Sequence, residues 1–302
     1  ERKELIYADL AWCRENGIAL DAIFNANCYG DISISPDLAD HVTKMLGEMD
    51  SKGLLPEHLT TTSPFIATVV RKRFPKIKIR ISVNVYAENA ISLTYVTDIF
   101  DSFYAGIDRH RQLDYVKMLH EWAKEHGKSL CIYANSGCLR DCPFRQFHNN
   151  LHGHNRMGQS VAGEEFSFST FRCRTNYERG RYADFLRANW LRPEELPEYE
   201  RYAGAVKLAT RRHPDPESVI RAYATYSYDG DLAKIMDHSE EGSAFFSKDK
   251  LPDQFKAYDL GEFEGSKCAR IADLGMDFEH IICSEDRLYG IGYEWVYDGL
   301  IP

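Results

Sequence analysis

The stretch HLTTTSPFIATVVRKRFPKIKIRISVN, residues 58–84, decides the fold. HLTTTS reads as a strand, PFIATVVRKRF as the helix that follows it, and KIRISVN as the next strand. A strand, a helix and a strand joined by such short links make one parallel α/β unit. The same alternation runs outward in both directions. IALDAIFN (residues 18–25) reads as an earlier strand, preceded by a helix over residues 5–15. Downstream come the helix-like AISLTYVTDIF, the strand SFYAGID (102–108) and the helix LDYVKMLHEWAKEHG, which Gly127 closes. SLCIYAN (129–135) is a fifth strand. AVKLA (205–209) is a sixth, after a helix begun at Pro193-Glu194-Glu195. Six units stand against the eight of a complete barrel. The expected fold is therefore α/β, a TIM-barrel-like (β/α)n barrel that is incomplete or irregular. The missing units either precede Glu1 or lack regular form, and a first residue that is not Met fits a trimmed or processed chain. A doubly wound open sheet is the rival, but no GxGxxG follows the first strand.

With 302 residues and 44% hydrophobic content, the chain suits one large domain or a domain plus a lobe. Charge divides it. From Asp229 onward there are 17 acidic and 7 basic residues, a net of −10, while the whole chain carries −9; the first 228 residues therefore sum to about +1. The expected organisation is a barrel domain over residues 1–228 and an acidic C-terminal appendage over 229–302. No apolar run approaches the roughly 18–20 residues that span a bilayer. The opening ERKELIYADL has charges where a secretory signal carries its apolar core, so a cytoplasmic, reducing setting is expected. There, eight cysteines point to metal or redox chemistry before disulfides. An acidic chain is not a general nucleic-acid binder. Two basic stretches, residues 71–80 and 172–192, are the candidates for phosphate contact, although the first also reads as the wet end of a strand.

In parallel α/β architectures, function collects beyond the carboxyl ends of strands. Those positions hold Asn27-Cys28-Tyr29-Gly30, Val83-Asn84, Asp108-Arg109 and the loop from Gly137 to Cys142. Cys138 and Cys142 are spaced C-x₃-C, and Cys173 lies 31 residues further on. Thiolates are soft ligands for iron–sulfur clusters or zinc. The C-x₃-C-x₂-C pattern of radical S-adenosylmethionine enzymes fails, because position 145 is Arg. A zinc set of Cys138, Cys142, His148 and His152 is an alternative, but only five residues separate Cys142 from His148, where a zinc finger has about 12. Cys13, Cys268 and Cys283 read as packing cysteines.

The segment ANSGCLRDCPFRQFHNNLHGH, preceded by AGIDRHRQLD and followed by WLRPEELPEYERYAGAVKLATR, resembles the collagenase-like peptidase family U32. Asp108-Arg109, Cys138, Cys142, Pro143, Arg145, His148, Cys173, Arg192-Pro193-Glu194 and Lys207 fall on that pattern, over roughly residues 18–212. The C-x₃-C spacing departs by one residue from the family's C-x₂-C. The resemblance implies a TIM-barrel-like domain with a cysteine-held [4Fe–4S] cluster. It also implies oxygen-independent hydroxylation, seen in relatives implicated in modifying ubiquinone precursors or RNA bases. Cys138, Cys142 and Cys173 would be cluster ligands, with Cys28 preferred to Cys131 as the fourth because Cys131 sits within a strand. Arg109, Arg140 and Arg145 would balance the cluster's charge, and His148 would donate or accept a proton. Asp108 and Arg109 would form an orienting pair or touch substrate. The substrate would be a small molecule or an RNA base, with a related partner subunit or an electron donor. Two other classes stay open. One is a zinc-dependent peptidase or hydrolase, although neither H-E-x-x-H nor G-x-S-x-G is present. The other is a non-catalytic, cluster-bearing subunit of a heteromeric complex, with the aromatic tail at residues 289–300 as a partner surface.

Overall fold

The computed structural model describes residues 2–156, 188–211, 213–230 and 232–237. Six strands, β1 (Asp21–Phe24), β2 (His58–Thr61), β3 (Lys78–Ile81), β4 (Ser102–Tyr104), β5 (Ser129–Tyr133) and β6 (Ala205–Lys207), lie in the sheet order β1-β2-β3-β4-β5-β6. Eight described helices accompany them: α1 (Arg2–Glu15), α2 (Pro36–Ser51), α3 (Pro64–Arg73), α4 (Ala90–Thr94), α5 (Leu113–Glu125), α6 (Arg145–Arg156), α7 (Leu196–Glu200) and α8 (Pro216–Ala224). Parallel strands in sequential order, with helices in the links, are the (β/α) barrel plan carried to six strands. The fold is an incomplete TIM-like barrel, as the sequence pattern leads one to expect.

Two compact units divide the described residues. The first draws on residues 2–104, 121–130 and 143–156, the second on 105–120, 131–142 and the described residues from 188 onward. In the first unit the helices are set by their starts. Ser35 accepts a hydrogen bond from the Leu38 N–H (3.2 Å) and Ser63 one from the Ile66 N–H (3.2 Å), each followed by Pro at the first helical position. Both arrangements satisfy an N–H that the helix itself leaves unpaired. From there Leu38, Val42, Leu46 and Met49 bury one face of α2, and Ile66, Ala67 and Val70 one face of α3. The strands offer them Leu59, Ile79 and Ile81, all buried. Their alternate residues form a polar row. Asp21 accepts from the Thr60 hydroxyl (2.8 Å) and pairs with Arg80 (2.7 Å), and the Arg80 Nε donates to the Ser102 hydroxyl (3.2 Å). The register Thr60↔Arg80↔Ser102 places these side chains side by side.

Each strand is shorter than its apolar pattern suggests, and the excess becomes loop. After β3, the Val85 N–H turns back to the Ser82 carbonyl (3.0 Å). After β4, the N–H groups of Arg109 and His110 turn back to Gly106. The helix expected over AISLTYVTDIF stops at Thr94. Thr94 and Thr97 bond to the carbonyls of Ala90 and Thr94, the side-chain competition that disfavours continued helix. Helices α2 and α8 occupy stretches to which the sequence reading assigned no element. In the second unit, the turn Leu232–Ile235 packs tightly, with Leu232, Ile235 and Met236 buried. These few residues begin the stretch expected as an appendage; the rest of it, from 238, lies outside the described residues.

Candidate functional site

In the second unit, β5 runs into Ala134-Asn135-Ser136-Gly137-Cys138, and the path of the loop is set by side-chain hydrogen bonds. Asn135 is fully buried and uses both ends of its amide. Its Nδ2 donates to the carbonyls of Ala209 (3.0 Å) and Ile235 (3.2 Å), and its Oδ1 accepts from the Ala209 N–H (2.8 Å). Its own carbonyl accepts from the Asp237 N–H (2.7 Å). The chain at Asp237 thereby lies against Gly137 so closely that a Cβ there would sit 2.2 Å from the Asp237 carbonyl oxygen. Only glycine fits beside it. Tyr133, at the end of β5, donates its phenol to the Asp237 carboxylate, with the Lys207 ammonium 4.6 Å from the ring centre. Burial first, and then the charges of Asp237 and Cys138, hold the phenol far above its usual pKa.

The thiol-bearing loop is pinned next. The Cys138 N–H donates to the Ser136 hydroxyl (3.3 Å), and the Cys138 carbonyl accepts from the Asn189 N–H (2.9 Å). The Asn189 side-chain Nδ2 lies 3.5 Å from the Leu139 carbonyl and donates to Asp108 Oδ1 (2.9 Å). The same carboxylate oxygen accepts the Asp141 N–H (2.8 Å). Asp141 has φ of +50°, a left-handed turn that aspartate tolerates better than most residues. Cys138 and Cys142 are both half-buried, and neither is in a disulfide. Arg140 lies beside Asp141, with Nε 3.5 Å from its carboxylate. The Arg109 guanidinium sits over the Tyr115 ring at 5.3 Å.

In the first unit, Cys28 follows β1. Its Sγ accepts the Gly30 N–H (3.4 Å), and Gly30 takes φ of +59° to make that approach. Helix α6 packs on this segment through Gly153, where a Cβ would stand 3.0 Å from the Cys28 carbonyl oxygen and 3.2 Å from its nitrogen. The same helix carries Arg145, which is buried, and His148, which is half-buried with its N–H bonded to the Phe144 carbonyl (2.8 Å). Asn27 Nδ2 donates to the Asn84 carbonyl (3.2 Å), and Asn84 Nδ2 donates to that of Asn25 (3.3 Å), so the ends of β1 and β3 are laced together.

The sequence-predicted residues thus fall into two sets. Asp108 joins the Cys138–Cys142 loop in the second unit, where Arg109 also lies. Cys28, Arg145 and His148 belong to the first. Cys173, Cys268 and Cys283 lie outside the described residues, as does most of the arginine-rich run at 172–192. Cys131 is buried within β5, opposite Ala205. Sequence reasoning took Gly137 only as the start of the cysteine loop and passed over Asn135, Asn189, Asp237 and Gly153. The run Asn-Ser-Gly ahead of Cys138 was a usable signal for Asn135 and Gly137; nothing local marks Asn189 or Asp237. Among the described residues, no three His, Cys, Asp or Glu side chains are grouped to hold a metal ion. Also among them, no helix is long and apolar enough to cross a membrane.

Comparison with known proteins adds to this picture. A curated protein named as an uncharacterized protease, MJ1657 of Methanocaldococcus jannaschii, is 20% identical over 250 residues, covering 80% of this chain and 72% of its own. A solved structure described as that of the U32 peptidase Mk0906 aligns over 65% of this chain and 71% of its own, at 14% identity and a TM-score of 0.49. No family model matches the chain. Asp108-Arg109, Cys138, Cys142, Arg145 and His148 follow the ends of β4 and β5 or lie at the start of α6.

Proposed function

We propose that this U32-like protein is an iron–sulfur enzyme that hydroxylates a small molecule without molecular oxygen. The supporting observation is the Cys138–Cys142 loop itself. Two half-buried thiols stand at the end of a barrel strand, on a backbone pinned by Ser136, Asn189 and Asp108. Soft thiolate donors in that position suit a [4Fe–4S] cluster. Cys138 and Cys142 would hold it together with Cys173 and Cys28. When bound, the cluster would supply one-electron transfer at the strand ends. The net change, R–H + XO → R–OH + X, oxidises the substrate carbon by two electrons and reduces an oxygen donor XO by two. The chain's own contributions are to hold the loop, to place Arg140 and Asp141 beside it, and to offer the His148 imidazole for proton transfer. A related subunit or an electron donor would set the redox state of the cluster and would not be consumed in this balanced exchange.

A small molecule is preferred to an RNA base because of where the first basic stretch lies. Arg71 is engaged with Asp101 (2.9 Å) and Arg80 with Asp21 (2.7 Å). The exposed Lys72, Arg73, Lys76 and Lys78 lie at the C-terminus of α3 and the start of β3, the end of the strands away from the Cys28 loop. A second reading, a metal-dependent peptidase, takes its peptidase part from the name of the similar curated protein, an uncharacterized protease.

Anaerobic purification, with iron and acid-labile sulfide measured in wild type and Cys138→Ala, decides between them. The proposal expects both elements in wild type and their loss in the folded variant. Zinc without sulfide, with chelator-sensitive cleavage of peptides, establishes the peptidase reading instead.

A further inference from the structure

We infer that Asp108 and Asn189 form a positioning clamp that sets the Cys138–Cys142 loop in its metal-binding form before any metal arrives. The inference rests on the loop being ligand-bearing, as proposed above, but not on which metal it takes.

Five residues that follow a glycine would ordinarily sample many conformations, and a ligand entering such a loop must order it. Here the ordering is done by folding. Asp108 Oδ1 accepts two donors at once, the Asp141 N–H at 2.8 Å and the Asn189 Nδ2 at 2.9 Å. Asn189 works at the other end of the same loop, with its main-chain N–H on the Cys138 carbonyl at 2.9 Å and its amide 3.5 Å from the Leu139 carbonyl. Together these bonds pin the residue that carries the first thiol and the residue just before the second. The clamp is itself rigid. Ala188, Asn189 and Trp190 are fully buried, and the Ala188 carbonyl accepts from the buried Arg111 guanidinium. Tyr199 in turn donates to the Arg111 carbonyl (2.8 Å), and Trp190 bridges to Asn135. Pre-ordering of this kind improves affinity by removing an entropic cost from the binding step. Both residues engage the main chain of the loop and not its thiols, so both are positioning residues in the manner of outer-shell partners of metal ligands.

The test uses the full chain, reduced and metal-free, with two probes that need no iron. Phenylarsine oxide bridges a thiol pair, R–As=O + 2 R′SH → R–As(SR′)₂ + H₂O, and Co²⁺ reports thiolate binding through its charge-transfer absorption. Cys142→Ser identifies the part of each signal that belongs to this loop. Asp108→Ala and Asn189→Ala are expected to weaken that part about tenfold or more, with far-UV circular dichroism unchanged. Asp108→Asn, which keeps an oxygen to accept the Asp141 N–H, is expected to restore most of it. Unchanged loop affinity in both alanine variants overturns the clamp. So does a loss that only tracks global unfolding and that Asp108→Asn does not rescue. Protein that purifies without iron or sulfide yet shows the clamp effect overturns the iron–sulfur reading and leaves this one standing.

Discussion

Gly137 carries no side chain for a reason of contact, since its backbone is not in the left-handed region. A methyl group would meet the Asp237 carbonyl oxygen at 2.2 Å, far inside any tolerable separation, and the obstacle is main chain. Gly137→Ala should therefore destabilise the protein by about 1–3 kcal/mol, the range for an overpacked site, read as a lower urea midpoint with an unchanged slope. Neighbouring Tyr133 and the more distant Tyr223 are both buried phenols held well above their ordinary pKa of 10.0. Burial is the main cause in each; Asp237 and Cys138 add to it for Tyr133, Glu195 and Glu194 for Tyr223. A raised folded-state pKa means that the neutral form is favoured by folding. The contribution is complete below about pH 10 and is lost as pH climbs toward the folded value. Stability should fall on the alkaline side of about pH 10, and Tyr223→Phe should blunt that fall in a series of thermal melts.

At the scale of elements, α6 approaches the Cys28 backbone most tightly at Gly153. Two effects compete in Gly153→Ala. Alanine in a helix interior gains about 1 kcal/mol over glycine, while its Cβ would press on the Cys28 backbone at 3.0 and 3.2 Å. These nearly cancel, so that variant should be close to neutral. Gly153→Val loses most of the propensity gain and adds two more carbons to the contact, so a loss of about 1–3 kcal/mol is expected from the same urea titration. What the sequence made legible follows the same physics. Six strands were visible because each is a short apolar run with a turn beyond it, and the helix-bearing links between them imply parallel pairing. Their ends were misjudged because the residues past Ile81 and Tyr104 are apolar enough to extend a strand, yet they are turned by bonds to Ser82 and Gly106. The cysteine spacing stood out in the chain. Asn189, which fixes the backbone between those cysteines, did not, because it acts from 51 residues beyond Cys138 through contacts with no local pattern.

Over the whole molecule, charge and chemistry are separated. The acidity belongs to residues beyond 228, and the described part is nearly neutral. Several of its cations are paired: Arg71 with Asp101, Arg80 with Asp21 and Arg192 with Glu194. In the second unit, one uncharged side chain does the joining. Asn135 links the end of β5, the residues after β6 and the run that ends at Asp237. The energetic consequence is a shared opening reaction. The amides of Ala209 and Asp237 are 28 residues apart, yet each is bonded to an atom of Asn135. They should exchange with deuterium at one common rate in wild type, as members of a single cooperative unit. In Asn135→Ala the two rates should diverge, with Ala209 the faster because its acceptor is gone while the carbonyl that protects Asp237 remains.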